Sequence, residues 1–539
     1  MKYPFLLSGC LVLGQTLAAP AEEDTAALRK ELDALRNDYE RRIDRLESKI
    51  HELEAAPAKT PAAPVRDVEM EAAREREAIA KRQQEQIKRA VDARFEQNTE
   101  TRDFRRRADD DNMVSERIEN VLDGYMDING YFRAGYGRSD NDGPMAAFGA
   151  PGVAKYRLGN EAENYGELAF SKTFYPAGVF GSGKAMDQND PVAQMVYRMS
   201  IYNPYANYGA ASATEFASPE IWGSLGNVIP GMPEASLWAG SRFYRRHDIN
   251  INDFYYWDMS GGGGGIEDVT FGPGKFALAW IGDGAESAIY ASLGEPTPNN
   301  LAGFSKSSFD LRYYDWKFLG GTGEAGLVYA KAGSGVDSSG RQADDSQGFS
   351  FSLLRTDKGF LDPDSLHTTG IQVGNGPAKT FTSGFETFTD STGTYIRPDP
   401  DDSWRVRFTD QVVINPIDQF SLGTALVYQY TDYGEDAPEQ QWVSGGLRPI
   451  WHFNEVFSLA FEGGMDWISG TSFTGGGSVT KLTLAPQVSL GDKFLSRPVL
   501  RAFVTYAAWS DGLEGKVGGA DYIDSTDGWS WGMQMETWW

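Results

Sequence analysis

Cysteine is almost missing from this chain: among 539 residues the only one is Cys10. It sits inside an N-terminal stretch with the marks of a secretory signal over residues 1–19. Lys2 supplies the positive start, Phe5 to Leu17 is a mostly apolar core, and Leu17-Ala18-Ala19 or Ala19-Pro20-Ala21 offers small residues for cleavage. Leu7-Ser8-Gly9-Cys10 also fits a lipoprotein box, although the apolar stretch before it is very short. On the ordinary reading the mature chain has neither a disulfide nor a thiol nucleophile. Histidine is scarce as well, at four, and no His/Cys cluster has metal-ligand spacing. Beyond the N-terminus no apolar run approaches the ~18 residues of a membrane-spanning helix. Basic residues are outnumbered, 50 against 76 acidic, and the net charge of −26 argues against a nucleic-acid partner. No glycine loop for a nucleotide is recognisable, nor a nucleophile with its base, nor a distinct carboxylate pair. No catalytic residue, metal or cofactor is therefore expected.

What the chain has is glycine (61 residues) and aromatics (13%), unevenly distributed. Residues 22–54 are charge-rich with a helical period. Leu32, Tyr39, Leu46 and Leu53 recur every seven residues with Leu28 and Leu35 between them, the seam of a coiled coil. Arg42 and Lys49 interrupt its second half, and a single solvated helix is the alternative. The linker 55–65 holds three prolines, which break the helix. Residues 66–123 return to charged helix formers and end in a connector.

From Gly124 the texture changes, and the period becomes two. In Val499 to Trp509, Leu500, Ala502, Val504, Tyr506 and Ala508 share one face while Arg501, Phe503 and Thr505 share the other. Phe420 to Thr431 alternates in the same way. At the C-terminus Trp529, Trp531, Met533, Met535 and Trp539 oppose Ser530, Gly532, Gln534, Glu536 and Trp538. Strands of about ten residues, apolar on one side and polar on the other, are the pattern of a transmembrane β-barrel over 124–539. Shorter strands would be expected of a soluble sandwich. Gly261–Gly265, Gly333–Gly340, Asp357–Ser365, Pro398–Asp402 and Gly470–Gly477 read as loops.

One stretch stands apart. Trp238 to Asp258 puts three arginines, a histidine, three aspartates and many aromatics into 21 residues. A dry core does not tolerate so many charges, since each unpaired one costs several kcal/mol. A water-filled cavity that binds a polar ligand through charges and ring faces accommodates both kinds of residue.

This stretch, together with Asn129 to Gly135, Lys155 to Glu161, Tyr165 to Leu168, Trp442 to Pro449, Ser496 to Trp509 and Gln534 to Trp539, resembles the maltoporin family of sugar-specific outer-membrane porins. The segments keep the family's order through 124–539. The N-terminal extension resembles the periplasmic helices of the sucrose porins, a branch of that family. The resemblance implies an all-β barrel of 18 antiparallel strands in the bacterial outer membrane, an inward loop narrowing the pore, and a homotrimer. It implies passage of sugars, maltodextrin-like or sucrose-like, by passive diffusion. The stalk would lie in the periplasm, with residues 22–108 available for periplasmic or peptidoglycan contact.

Site residues follow from two directions. Parity puts Tyr131 with Arg133, Tyr165 with Glu167, and Trp538 with Glu536 on lumen faces. By resemblance, Tyr131, Tyr165 and Trp538 match an aromatic slide along which sugar rings pass. Arg133, Arg157, Glu167, Arg246, Asp253 and Tyr255 match the polar track and constriction. Arg242, Arg245 and Asp248 are equally read as a charge network holding the inward loop, and His247 as a structural histidine. Trp529 and Trp539 suit the interfacial girdle. There are departures. Leu495 stands where the family has a slide tryptophan, Ala162 where it has a loop cysteine, and Ser218-Pro219 near an expected arginine. Tyr202, Tyr205 and Tyr208 are candidates for a tryptophan lent between neighbouring pores. Such changes favour a shorter or different sugar, or a wider pore. Two other readings remain: a general diffusion porin on the same scaffold, and an envelope-tethering protein whose barrel is its anchor.

Overall fold

In the computed structural model the described residues are 126–174, 191–203, 214–284, 304–336, 342–390, 393–396, 398–417, 419–434, 439–470 and 475–539. The expected signal segment, coiled-coil helix, proline linker and charged connector lie outside them.

Among the described residues eighteen strands form one sheet. The first six are β1 Asp127–Ser139, β2 Asn164–Phe174, β3 Val192–Asn203, β4 Glu215–Gly226, β5 Ser236–Arg242 and β6 Gly261–Phe271. Next come β7 Gly274–Gly284, β8 Ser305–Phe318, β9 Gly321–Ala332, β10 Ser346–Lys358, β11 Leu366–Asn375 and β12 Trp404–Ile417. The last six are β13 Phe420–Asp432, β14 Gln440–His452, β15 Phe457–Ile468, β16 Gly477–Ser489, β17 Val499–Trp509 and β18 Asp527–Trp538. Each pairs antiparallel with its chain neighbours. The sheet closes where β1 meets β18, with Tyr131 opposite Trp538 and Gly137 opposite Gly532. Closure leaves no strand edge, as a hydrocarbon environment requires.

The two faces invert the order of a soluble protein. On the outside, Leu278, Leu311, Leu327, Phe351 and Val373 form an exposed row across β7 to β11. On the inside, Arg312, Gln372, Arg407, Glu462 and Lys481 are buried. The alternation in β13, β17 and β18 follows the same rule: Leu426, Leu500 and Met533 face outward, while Gln429, Arg501 and Gln534 are buried within. A charge on the outer row therefore meets lipid. Leu327→Arg is expected to cost the barrel about 2–4 kcal/mol in urea unfolding from vesicles. Leu319→Arg, at the exposed tip of the β8–β9 turn, should cost less than about 1 kcal/mol.

The connections 272–273, 319–320 and 453–456 are short and share a rim with the start of β1 and the end of β18. At the other rim, 140–163, 243–260 and the described parts of 376–403 fold into the barrel. Within the last of these, buried Lys379 binds Asp399 at 2.5 Å and Glu386 at 2.7 Å. Lys306 on β8 holds the same loop by donating to the carbonyls of Thr382 and Gly384.

Two of the expected loops are placed differently. Gly261–Gly265 is not a loop but the start of β6, paired with β5 and β7. Glycine is required there by close approach. A Cβ on Gly263 would lie 2.1 Å from the Trp280 carbonyl oxygen, and one on Gly265 would lie 2.4 Å from that of Leu278. Asp357–Ser365 begins as the end of β10 and continues as a turn at the short-turn rim.

Candidate functional site

Two inward loops meet inside the barrel. In the first, 140–163, Tyr156 and Leu158 are anchors and Arg157 between them is left to face the pore. The Tyr156 ring lies against Gly446 and Gly464; a Cβ at either position would be 2.2 Å from the ring. Its hydroxyl meets Ser444 Oγ at 3.0 Å. The Leu158 amide donates to Glu462 Oε1 at 3.0 Å, and its carbonyl accepts from Lys481 Nζ at 2.5 Å and Thr483 at 3.0 Å. Glu462 also binds Arg448 at 2.5 Å, so the loop rests on a buried Arg–Glu–Lys triad of the barrel wall.

The second loop, 243–260, is a small hairpin pairing His247–Ile249 with Phe254–Trp257. Arg407 donates to the Tyr256 carbonyl at 2.7 Å, and Gln411 donates to that of Asp248 at 2.8 Å. Trp257 lies under the Arg312 guanidinium at 3.8 Å. The loops join where the Arg157 amide donates to the Ile251 carbonyl at 3.0 Å.

The aromatic residues line up across the barrel seam. The ring centroids of Trp538 and Tyr131 are 6.4 Å apart with planes inclined by 15°. Tyr165 follows Tyr131 at 5.9 Å and Tyr202 follows Tyr165 at 6.4 Å. Four rings from β18, β1, β2 and β3 thus form a continuous row. Arg497 lies over the Trp538 ring at 4.3 Å and occupies the end of the row near the short turns.

A line of charges accompanies the rings. Arg133 contacts Tyr131 Oη at 3.2 Å, Glu161 at 3.3 Å and also Glu163. Arg157 binds Glu161 at 2.9 Å and Glu536 at 3.3 Å, and reaches Asp253 at 4.0 Å. Burial alone would raise the Glu161 carboxyl, but Arg157 and Arg133 hold it below the usual carboxylate range. Glu536 gathers Arg157, Arg497 at 2.7 Å, Arg501 at 3.2 Å and the Tyr131 hydroxyl at 3.1 Å. Glu167 accepts from Tyr165 and binds Arg198 at 2.8 Å. Beside this line a cavity of about 530 Å³ opens between Arg133, Glu161, Glu163, Tyr165, Tyr202 and Asp253.

Of the nine residues expected at the site, Tyr131, Tyr165, Trp538, Arg133, Arg157, Glu167 and Asp253 come together here. Arg246 and Tyr255 form their own pair on the second loop. The guanidinium lies 4.8 Å from the Tyr255 ring and 3.7 Å from Phe243. Arg242 and Arg245 both bind Glu267, at 2.7 and 3.6 Å, which makes them part of the network holding the loop. Asp248 is held instead through its backbone. His247 stacks on Trp257 at 5.4 Å and meets Glu324 at 3.1 Å, the structural role expected of it. Trp529 and Trp539 are exposed on the outer face at opposite ends of β18. Among the described residues no three His, Cys, Asp or Glu side chains cluster as a metal would require.

The sequence reading missed Glu161, Arg497 and Arg501 as members of the site, and Glu536 as its centre. The parity that put Glu536 beside Trp538 was the available signal.

Loops cover the lumen side chains of β8 to β17, while those of β2 to β4 are mostly half-exposed. The open space therefore runs beside the aromatic row.

The LamB porin family model matches residues 126–539. Among solved structures, the outer-membrane protein OpdK of Pseudomonas aeruginosa aligns at 10% identity with a TM-score of 0.39, over 77% of this chain and 99% of that one. OprB of Pseudomonas putida aligns at 9% and 0.38, over 79% and 97%. OmpT of Vibrio cholerae, in its trimer form, aligns at 8% and 0.34, over 77% and 99%.

Proposed function

The chain belongs to the LamB porin family of outer-membrane porins, and we propose that it is a sugar-selective channel for passive diffusion. The observation that carries this reading is the row Tyr202–Tyr165–Tyr131–Trp538 with its accompanying arginines and carboxylates. A sugar has apolar C–H faces and a rim of hydroxyls. The rings serve the faces, each contact being worth about 1 kcal/mol. Arg133, Arg157, Glu161 and Asp253 serve the hydroxyls through directional, charge-assisted bonds. Weak contacts in series suit transport, because a site that releases slowly blocks its own pore.

Arg497 on Trp538 shortens the aromatic surface open to a passing ring, and Leu495 adds no ring beyond it. A short oligosaccharide or disaccharide is the substrate class this favours. Assembly as a homotrimer with the N-terminal helices in the periplasm completes the proposal.

The test is single-channel conductance in a planar bilayer, titrated with sucrose and maltotriose. Concentration-dependent block is expected, weakened about fivefold by Tyr165→Ala, the loss of one ring contact. Open channels indifferent to every sugar would leave a general diffusion porin as the reading.

A further inference from the structure

A second polar cavity lies at the short-turn rim, beneath the inward turn 490–498. Phe494 pins that turn, its amide donating to Asn415 Oδ1 at 2.9 Å. The cavity measures about 10 Å³, the lower limit for one water-sized particle, so a halide in it touches the walls on all sides. Arg448, Arg497, Arg501, Lys493, His452 and Gln487 line it with serines and apolar groups, and no carboxylate does.

Local charge is unbalanced in one direction. Glu462 serves Arg448 and Lys481. Glu536 serves Arg157, Arg497 and Arg501. Five cations thus share two carboxylates, and only Arg157 has other acidic contacts, with Glu161 and Asp253. Lys493 is matched by Asp364 outside the cavity. Hydrogen bonding is incomplete in the same sense. Arg497 and Arg501 have side chains only 6% exposed, and the Nε–H of each is buried without an acceptor; Nδ1 of His452 is buried without a partner. Burial, aided by Arg501 and Arg448 and opposed by Glu536, pushes the Arg497 guanidinium down to about 10.

We propose that this cavity is an anion site that holds one halide-sized monovalent ion at the exit of the pore. A water molecule must donate two hydrogens of its own, and the walls here are dominated by donors. An anion only accepts, and it supplies the missing negative charge. A sugar acid is excluded by size, because its carboxylate comes attached to a ring. With the ion in place, the exit beside Trp538 presents little net charge to a neutral solute. The inference stands independently of sugar selectivity.

The test is anomalous diffraction from crystals of the full chain grown in bromide. A peak is expected between the Arg448, Arg497 and Arg501 guanidinium groups, persisting at tens of millimolar bromide and lost in Arg501→Gln. No peak, or density for water alone, overturns the site. A peak at molar bromide only marks an adventitious ion and overturns it too, as does a peak that survives Arg501→Gln. Should that variant fail to fold, the bromide series on the unaltered protein decides by itself.

Discussion

Replacing Glu462 with glutamine is expected to lower the stability of the barrel by about 3–5 kcal/mol. The carboxylate is buried and binds Arg448 at 2.5 Å and Lys481 at 2.8 Å. Glutamine keeps the shape and removes the charge, so two cations stay behind in a site water does not reach. Restoring their hydration would require the wall to open. The same carboxylate receives the Leu158 amide, so the loop carrying Arg157 loosens as well. Two measurements check this. Urea unfolding should show the loss of stability, and single-channel recording should show higher conductance with more current noise. A loss below about 1 kcal/mol would mean that the triad is as well solvated as a surface pair.

Glu536→Gln is the second large effect, and it falls on function. Glu536 is the shared partner of Arg157, Arg497 and Arg501 and accepts from Tyr131. Without it Arg497 and Arg501 are left in the lumen with no carboxylate partner, while Arg157 keeps Glu161 and Asp253. Ion selectivity, read as the reversal potential in a salt gradient, should move toward anions. Sugar block should weaken about tenfold, which corresponds to about 1.4 kcal/mol, because the arginines no longer hold their positions beside the rings. An unchanged reversal potential would show that the current passes elsewhere.

Some of this was legible in the sequence and some was not. Strand parity depends only on neighbours two apart, so β13, β17 and β18 could be assigned faces without a structure. The pairs Tyr131/Arg133 and Tyr165/Glu167 followed from the same rule. Contacts made across the barrel could not be reached that way. Tyr156 meets Ser444 and Leu158 meets Lys481 at separations of some three hundred residues, and no local period encodes either. The glycine run 261–265 misled for a physical reason: glycine favours loops by its freedom, but here Gly263 and Gly265 lie too close to β7 carbonyls for a Cβ. Glu536 carried its signal in parity alone, whereas the three arginines around it come from 140–163, 490–498 and β17.

The aromatic row lies on the line where the barrel closes. Tyr131 belongs to the first strand and Trp538 to the last, and they become neighbours only when β1 pairs with β18. Glu536 and Arg157 likewise meet only across that seam. The proposed sugar site therefore exists only in the closed barrel. A chain that inserts most of its strands but leaves the seam open has no such surface, and ligand recognition reports on completed biogenesis as well as on transport.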